Sequence, residues 1–342
     1  MKGPIVISGI GTGGHYFPAV VVGREFQRRH CQVMFLVRPA SPEESTARSF
    51  GLPAIRVKAR GFYGKTVLGK IQSLLAFLQA VCRLLPIVRG AVAVTFGGYG
   101  SLPLIAACLI RRRPFFLFEA NRIPGRATRM FAARAQRVFL GLPLPGTIAG
   151  LTQVTGVPIR DEFKHSDAGR LTAQNPVVLI LGGSQGSRRL NQLGIELKGS
   201  LPVSYRIVII SGERDYPWVV GSQNGRTRVI PFTATPWVEF AAANVIVSRA
   251  GALAGYEILA TRKPAIFIPF PAAIDDHQLF NARYFAEAGG GRMIEESGLT
   301  AARLAAAIQD LVERSGVSRS DIMLDAEHRI VDAVLGEASH AR

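Results

Sequence analysis

Between Asn244 and Ala282 the sequence NVIVSRAGALAGYEILATRKPAIFIPFPAAIDDHQLFNA leaves few ways to fold. It opens on the β-branched run Val245-Ile246-Val247, the pattern of a buried strand, and breaks at Ser248-Arg249-Ala250-Gly251. Good helix formers follow from Ala252 to Leu259, so the first turn leaves backbone N–H groups without helical partners, aimed back at the strand end. Those donors and the positive end of the helix dipole suit a phosphate or pyrophosphate, and Gly251 lets a ligand approach the main chain. Glu257 falls about one and a half turns into the helix, within reach of a sugar hydroxyl such as a nucleotide ribose. A second apolar run, Ala265 to Phe270, reads as a neighbouring strand that delivers Asp275, Asp276, His277, Gln278 and Asn281 to the same rim. The competing reading is that strand, glycine turn and helix recur in every α/β protein, with the carboxylate capping or solvated.

The same unit recurs along the chain. Pro4 to Ile10 runs into Gly11-Thr12-Gly13-Gly14-His15 and a helix from Phe17 to Arg29. Gln32–Val37, Ala54–Val57, Ala91–Thr95, Phe115–Phe118 and Val138–Leu140 are further strand candidates, two of them ending in the loops Gly97–Ser101 and Glu119–Arg122. Leu142 to Pro158, rich in glycine and proline, reads as a crossing between domains, with Arg160 at its end. The pattern restarts at Pro176–Leu181 with the loop Gly182-Gly183-Ser184-Gln185-Gly186, and continues through Arg206–Ile210, Arg228–Pro231, Val245–Val247 and Ala265–Pro269, with only helix expected after Thr300. The expectation is an α/β protein of two doubly wound, Rossmann-like domains, residues 1–160 and 161–342. A length of 342 residues suits that division. Neither glycine loop has dinucleotide or P-loop spacing, which weakens NAD and P-loop readings.

The formal charge is +17, and no Asp or Glu occurs from Ser45 to Phe118. That stretch carries Arg48, Arg56, Lys58, Arg60, Lys65, Lys70, Arg83, Arg89 and Arg111-Arg112-Arg113. Aromatic platforms and a recognition-helix pattern are missing, so nucleic acid is not the favoured partner. Ile71, Leu74, Leu75, Leu78, Val81, Cys82 and Leu85 fall at helical spacing among the cations, which points to an anionic membrane surface; an ordinary core-facing helix is the alternative. No signal peptide or spanning helix is expected. Cys31, Cys82 and Cys108 show no metal spacing and are expected to be reduced and buried.

Taken in order, GTGGH at Gly11–His15, GGYGS at Gly97–Ser101, EAN at Glu119–Asn121, GVPIR at Gly156–Arg160, GGSQGSRRLN at Gly182–Asn191, SRAGALAGYE and HQLFNA resemble the MurG family. Those transferases add N-acetylglucosamine from UDP-N-acetylglucosamine to the undecaprenyl-diphospho-muramoyl-pentapeptide precursor of peptidoglycan. The resemblance spans nearly the whole chain and implies a GT-B fold with an interdomain cleft. It also implies inverting transfer to the muramoyl 4-hydroxyl without metal or cofactor, and a peripheral location on the cytoplasmic face of the membrane. Position by position, it implies that Ser184 and the helix start at Ala252, Leu253 and Ala254 hold the diphosphate, that Gly255 and Tyr256 belong to the same UDP-N-acetylglucosamine site, and that Glu257 holds the ribose. Thr233 would meet the uracil through its backbone, and Gln278, with Asn281 behind it, the sugar hydroxyls. Thr12, Gly13, Gly14, Asn121 and Arg160 would contribute from the other domain.

His15 is the first candidate for the base, since an imidazole can take the hydroxyl proton at working pH; a structural role or a contact to the acceptor diphosphate is its alternative. Glu119 is the second candidate. Arg160 and the helix N-terminus would stabilise the departing diphosphate. The implied partners are UDP-N-acetylglucosamine, a polyprenyl-diphosphate-linked muramoyl-pentapeptide and an anionic membrane surface. The chain departs from the family pattern at Ala250, Ala254 and Phe118, where hydroxyl residues and a histidine are frequent. The readings kept beside this one are a GT-B transferase acting on another glycolipid, a UDP-N-acetylglucosamine epimerase, and a non-catalytic basic membrane-binding protein.

Overall fold

The computed structural model describes residues 3–58, 66–165, 174–183, 185–289, 291–314 and 322–340. Two compact units emerge, Met1–Arg160 together with Met323–Arg342, and Asp161–Ile322. The first holds seven strands: β1 (Ile5–Ser8), β2 (Val33–Val37), β3 (Ala54–Arg56), β4 (Val92–Thr95), β5 (Phe115–Glu119), β6 (Val138–Leu140) and β7 (Thr152–Val154). They pair in the order β3-β2-β1-β4-β5-β6-β7, parallel throughout. Every residue of β1 and β5 is buried, because helices cover both faces of a parallel sheet and its central strands read as unbroken apolar runs.

The second unit holds six strands: β8 (Val177–Leu181), β9 (Arg206–Ile210), β10 (Thr227–Ile230), β11 (Val245–Ser248), β12 (Ala265–Phe267) and β13 (Arg292–Met293). Their order is β10-β9-β8-β11-β12-β13, again parallel. Its core gathers Val178, Ile180, Ile207, Ile209, Val245 and Val247 from the sheet and Leu190, Leu193 and Leu197 from the helix Arg188–Ser200. In each unit the chain leaves the first strand to one side and returns on the other. The order therefore reverses between β1 and β4 and between β8 and β11, the place where open α/β sheets admit ligands beyond their carboxyl ends.

Two edge strands escape the sequence reading. β7 lies within the stretch assigned to the crossing, and β13 is only two residues long; both are exposed or half-buried, without the apolar run that marks a central strand. The last helix, Ala326–His340, also departs from the expected second domain at 161–342. It packs on the helix Gly13–Arg28 of the first unit, with Ile330, Val331 and Val334 fully buried. There His328 Nδ1 lies 2.9 Å from the buried Glu25 Oε1, and Arg29 Nη1 donates to Asp332 Oδ1 at 3.0 Å. An amphipathic helix joins whichever unit offers it an apolar face, irrespective of chain order.

Candidate functional site

On the first unit, Thr12, Gly13, Gly14 and His15 lie together directly after β1, at the start of the helix Gly13–Arg28. The loop after β4 closes on them. Gly97 and Gly98 take φ of +77° and +73°, where only glycine is at ease, and a Cβ on Gly97 would lie 3.4 Å from His15 Cδ2. His15 Nδ1 accepts from the Thr12 N–H at 3.3 Å and lies 3.1 Å from Thr12 Oγ1. A backbone N–H can only donate, so in this arrangement the neutral ring carries its proton on Nε2. Behind the loop, Glu43 is 1% exposed and its Oε1 accepts from the Gly11 N–H at 3.2 Å and from Arg38 Nη2 at 2.6 Å. Burial pushes this carboxyl up, but hydrogen bonds from Ser41, the backbone and Arg38, with the Arg38 charge, outweigh it and hold it below the ordinary range. No sequence signal singled Glu43 out.

Glu119 does not fit a base. Its Oε1 accepts from Asn121 N and Asn121 Nδ2 at 3.1 and 3.2 Å, and its Oε2 from Gly125 N and Thr128 Oγ1 at 2.8 and 2.7 Å. A carboxylate with its lone pairs so engaged organises the 119–128 loop and has no room to take a proton from a substrate. Asn121 is drawn into the same arrangement. Arg160 stacks its guanidinium on the Phe17 ring, 4.6 Å from the centroid, and so sits against the helix that follows the glycine loop.

On the second unit the site rises from β8, β11 and β12, which are adjacent in the sheet. The helix Ala252–Thr261 begins after Gly251 with no side chain capping its first turn, and a Cβ at Gly251 would meet nothing within 4 Å. The Ala252, Leu253 and Ala254 amides thus form an approachable donor cluster. Tyr256 and Glu257 are buried on that helix. Gly255 serves packing: a Cβ there would lie 2.0 Å from the Phe285 ring. Ser184, expected at the diphosphate, lies outside the described residues, as do Arg60 and Lys65.

Gln278 is half-buried, and its Oε1 accepts from the Phe270 N–H at 3.1 Å. Thr233 Oγ1 accepts from the Thr235 N–H at 3.1 Å, so its side chain is turned into its own loop. Asn281 corrects an expectation. It is fully buried and donates to Ala250 O at 3.1 Å, fastening the strand-to-helix turn, so of the pair expected at the sugar, Gln278 with Asn281 behind it, Asn281 is withdrawn from a ligand.

One residue the sequence reading passed over lies at the centre of this edge. Arg249 is 6% exposed; its Nε donates to Ser187 Oγ at 3.1 Å and its Nη1 to Ile268 O and Pro269 O, both at 3.2 Å. Its Nη2 pairs with Glu296 at 2.5 Å, and its guanidinium lies 5.3 Å from the Phe270 ring centroid. An arginine beside a glycine turn gives no sign in sequence that it points inward.

Against known families, residues 5–140 match the glycosyltransferase family 28 N-terminal domain and residues 177–327 its C-terminal domain. The chain belongs to glycosyltransferase family 28. Among curated relatives, one from Pelobacter propionicus is 34% identical over 97% of this chain and 98% of its own length. Another from Verminephrobacter eiseniae is 36% identical over 91% and 90%. Both are UDP-N-acetylglucosamine--N-acetylmuramyl-(pentapeptide) pyrophosphoryl-undecaprenol N-acetylglucosamine transferases. The crystal structure of Acinetobacter baumannii MurG superposes with a TM-score of 0.75 at 23% identity, covering 98% of this chain and 100% of that one. The fold is GT-B, as the resemblance implied.

The departures from the family 28 pattern have local reasons. Phe118 is buried with its ring 5.1 Å from that of Phe96, so the position is filled as core in this chain. Ala250 is fully buried and offers only its carbonyl, to Asn281. A further surface belongs to the first unit. On the helix Val67–Leu84 the inward positions are Ser73, Ala76, Ala80, Val81 and Leu84, whereas Ile71, Leu74, Leu75 and Leu78 stand 49–54% exposed. Large aliphatic side chains therefore stand on both sides of this helix, Val81 and Leu84 inward and Ile71, Leu74, Leu75 and Leu78 outward, where an ordinary surface helix is polar. Val81 and Leu85 leave the expected membrane stripe: Val81 is buried and Leu85 half-buried against the core. Cys82 is exposed, against the expectation of burial, and Cys108 is buried, which pushes its thiol up to about 12.

Proposed function

We propose that this family 28 member transfers N-acetylglucosamine from UDP-N-acetylglucosamine to the 4-hydroxyl of the muramoyl unit of undecaprenyl-diphospho-muramoyl-pentapeptide, with inversion at the anomeric carbon. The observation that carries the reading is the uncapped helix start after β11, open at Gly251 and followed by the buried Glu257. A helix rises about 1.5 Å per residue, so Glu257 lies roughly 7 Å along the axis from the first amides, the span from a diphosphate to a ribose. The Ala252–Ala254 amides take the diphosphate and accept the charge that develops on it as UDP leaves. Thr233 meets the uracil with its main chain, and Gln278 reads the sugar.

The first unit receives the acceptor at the Gly11–His15 loop. For His15 to act as base its proton must move to Nδ1, and Thr12 Oγ1, 3.1 Å away, then accepts from Nδ1–H and leaves Nε2 unprotonated. The ring in the other tautomer donates from Nε2 and suits the acceptor diphosphate. On the same unit the acid-free, basic segment and the outward face of Val67–Leu84 bring the chain peripherally to an anionic bilayer, on the cytoplasmic side where a nucleotide sugar is available. No helix among the described residues is long and apolar enough to cross a membrane.

The test is transfer of radiolabelled N-acetylglucosamine to a lipid-linked muramoyl-pentapeptide, run with and without that acceptor. Disaccharide lipid formed only with acceptor is the expected result. Turnover of the sugar nucleotide without acceptor would point to an epimerase, and no turnover with a folded sample would overturn the proposal.

A further inference from the structure

We infer that Arg249 is a positioning residue for donor-sugar recognition, acting through Phe270 on the orientation of the Gln278 amide. The inference rests on the UDP-sugar reading above and adds to it. β8, β11, β12 and β13 are consecutive in the sheet, and the Arg249 guanidinium, carried on the turn after β11, reaches the segments that follow the other three: Ser187, Ile268 with Pro269, and Glu296. A planar fork with its donors in fixed directions can tie several carbonyls and a carboxylate at once, which a lysine ammonium cannot reproduce. Burial works against this cation and Glu296 supports it, so its place in the molecule is held by a specific network.

The consequence falls on the sugar. Two of the guanidinium's hydrogen bonds fix the carbonyls immediately before Phe270, and its face rests over the Phe270 ring at 5.3 Å. The main chain is held there with the Phe270 N–H directed at Gln278 Oε1, 3.1 Å away. Since that N–H can only donate, the atom it meets is the amide oxygen. Gln278 therefore presents its NH2 group, and it meets a sugar hydroxyl as donor. Without the strut at Arg249, the 268–270 segment loses two of its anchors and the amide loses its fixed sense. The uridine and ribose contacts proposed at Thr233 and Glu257 lie outside the 268–270 segment that this strut holds.

The experiment measures affinity of the full chain for UDP and for UDP-N-acetylglucosamine by titration calorimetry, with KM and kcat for transfer. Arg249→Lys is expected to weaken the sugar nucleotide roughly tenfold, about one lost hydrogen bond, while UDP stays within about twofold. KM for the donor rises more than kcat falls. Gln278→Ala gives a similar loss, and the double variant loses no more than either alone, since both remove one interaction. Gln278→Glu keeps the acceptor for Phe270 N–H but has no NH2, and it too is expected to lose sugar affinity relative to UDP.

Additive losses in the double variant overturn the inference, as does a parallel loss of UDP binding in Arg249→Lys, which would make the residue a general support of the fold. Retained sugar affinity in Gln278→Glu overturns the assigned amide orientation. If the unmodified chain binds no UDP-N-acetylglucosamine, the donor reading itself fails and takes this inference with it.

Discussion

At the scale of single residues, the chemistry turns on which atom of a side chain is already engaged. His15 is in the place the glycine loop promised, but its Nδ1 accepts from the Thr12 N–H, so base catalysis depends on the Thr12 hydroxyl taking over in the other tautomer. Thr12→Val keeps the shape and removes that acceptor. It is expected to lower kcat at least about tenfold with donor KM little changed, and Thr12→Ser to restore most of the rate; an unchanged kcat in the valine variant would remove His15 from the role of base. Glu43 supports a second expectation. Its native carboxyl titrates below the ordinary value, so its contribution to stability is complete above about pH 4 and is lost as pH falls through the lowered native value. Glu43→Gln should therefore be less stable than the unmodified chain near neutrality, by about 1–3 kcal/mol, and the gap should close in acid, as read by denaturant titrations across pH. Glu43 and Arg249 were illegible in the sequence because a charged residue in a helix's first turn or in a loop is ordinarily solvated, and only the packed backbone shows that these two point inward.

Elements tell glycine from glycine. Gly251 and Gly255 sit four residues apart on one helix start, and the sequence suggests Gly251 as the ligand's approach and Gly255 as one of the donor-site residues. The structure separates them: space is open at Gly251, whose φ of −65° and ψ of 139° suit any residue, while Gly255 lies against Phe285 of the neighbouring helix His277–Gly289. Gly255→Ala should cost about 1–3 kcal/mol of stability through overpacking, visible as a lower Tm, with nucleotide affinity falling only as far as the fold does. Gly251→Ala should leave the Tm unchanged and weaken UDP several-fold, because its methyl occupies the ligand's approach. The reverse pattern would contradict the placement of the diphosphate. Helix starts and central strands were legible because their signals are local, in β-branched runs and glycine breaks. β7, β13 and the partner of the last helix were not, because an edge strand and an amphipathic face are defined by what they pack against.

For the whole molecule, charge and apolar exposure meet on the first unit. The cations between Arg48 and Arg113 have no acidic neighbour in that span of sequence, and the exposed Ile71, Leu74, Leu75 and Leu78 lie within it. Leu74→Ser with Leu78→Ser should reduce co-sedimentation with anionic vesicles about tenfold or more, with the Tm unchanged, since neither side chain is in the core. Raised salt should weaken binding further, and equal binding by the variant would assign the face to some other partner. The sequence by itself determined the two parallel sheets, the glycine loops at their carboxyl ends and the family, because hydrophobic period, turn chemistry and ordered motifs are properties of neighbouring residues. Only the tertiary structure decided that Glu119 and Asn281 brace loops, that Val81 faces the core, that the last helix joins the first unit, and that Arg249 ties the loops of four strands. Each of those depends on which donor or apolar surface lies across the fold, and that is set by packing between segments far apart in the chain.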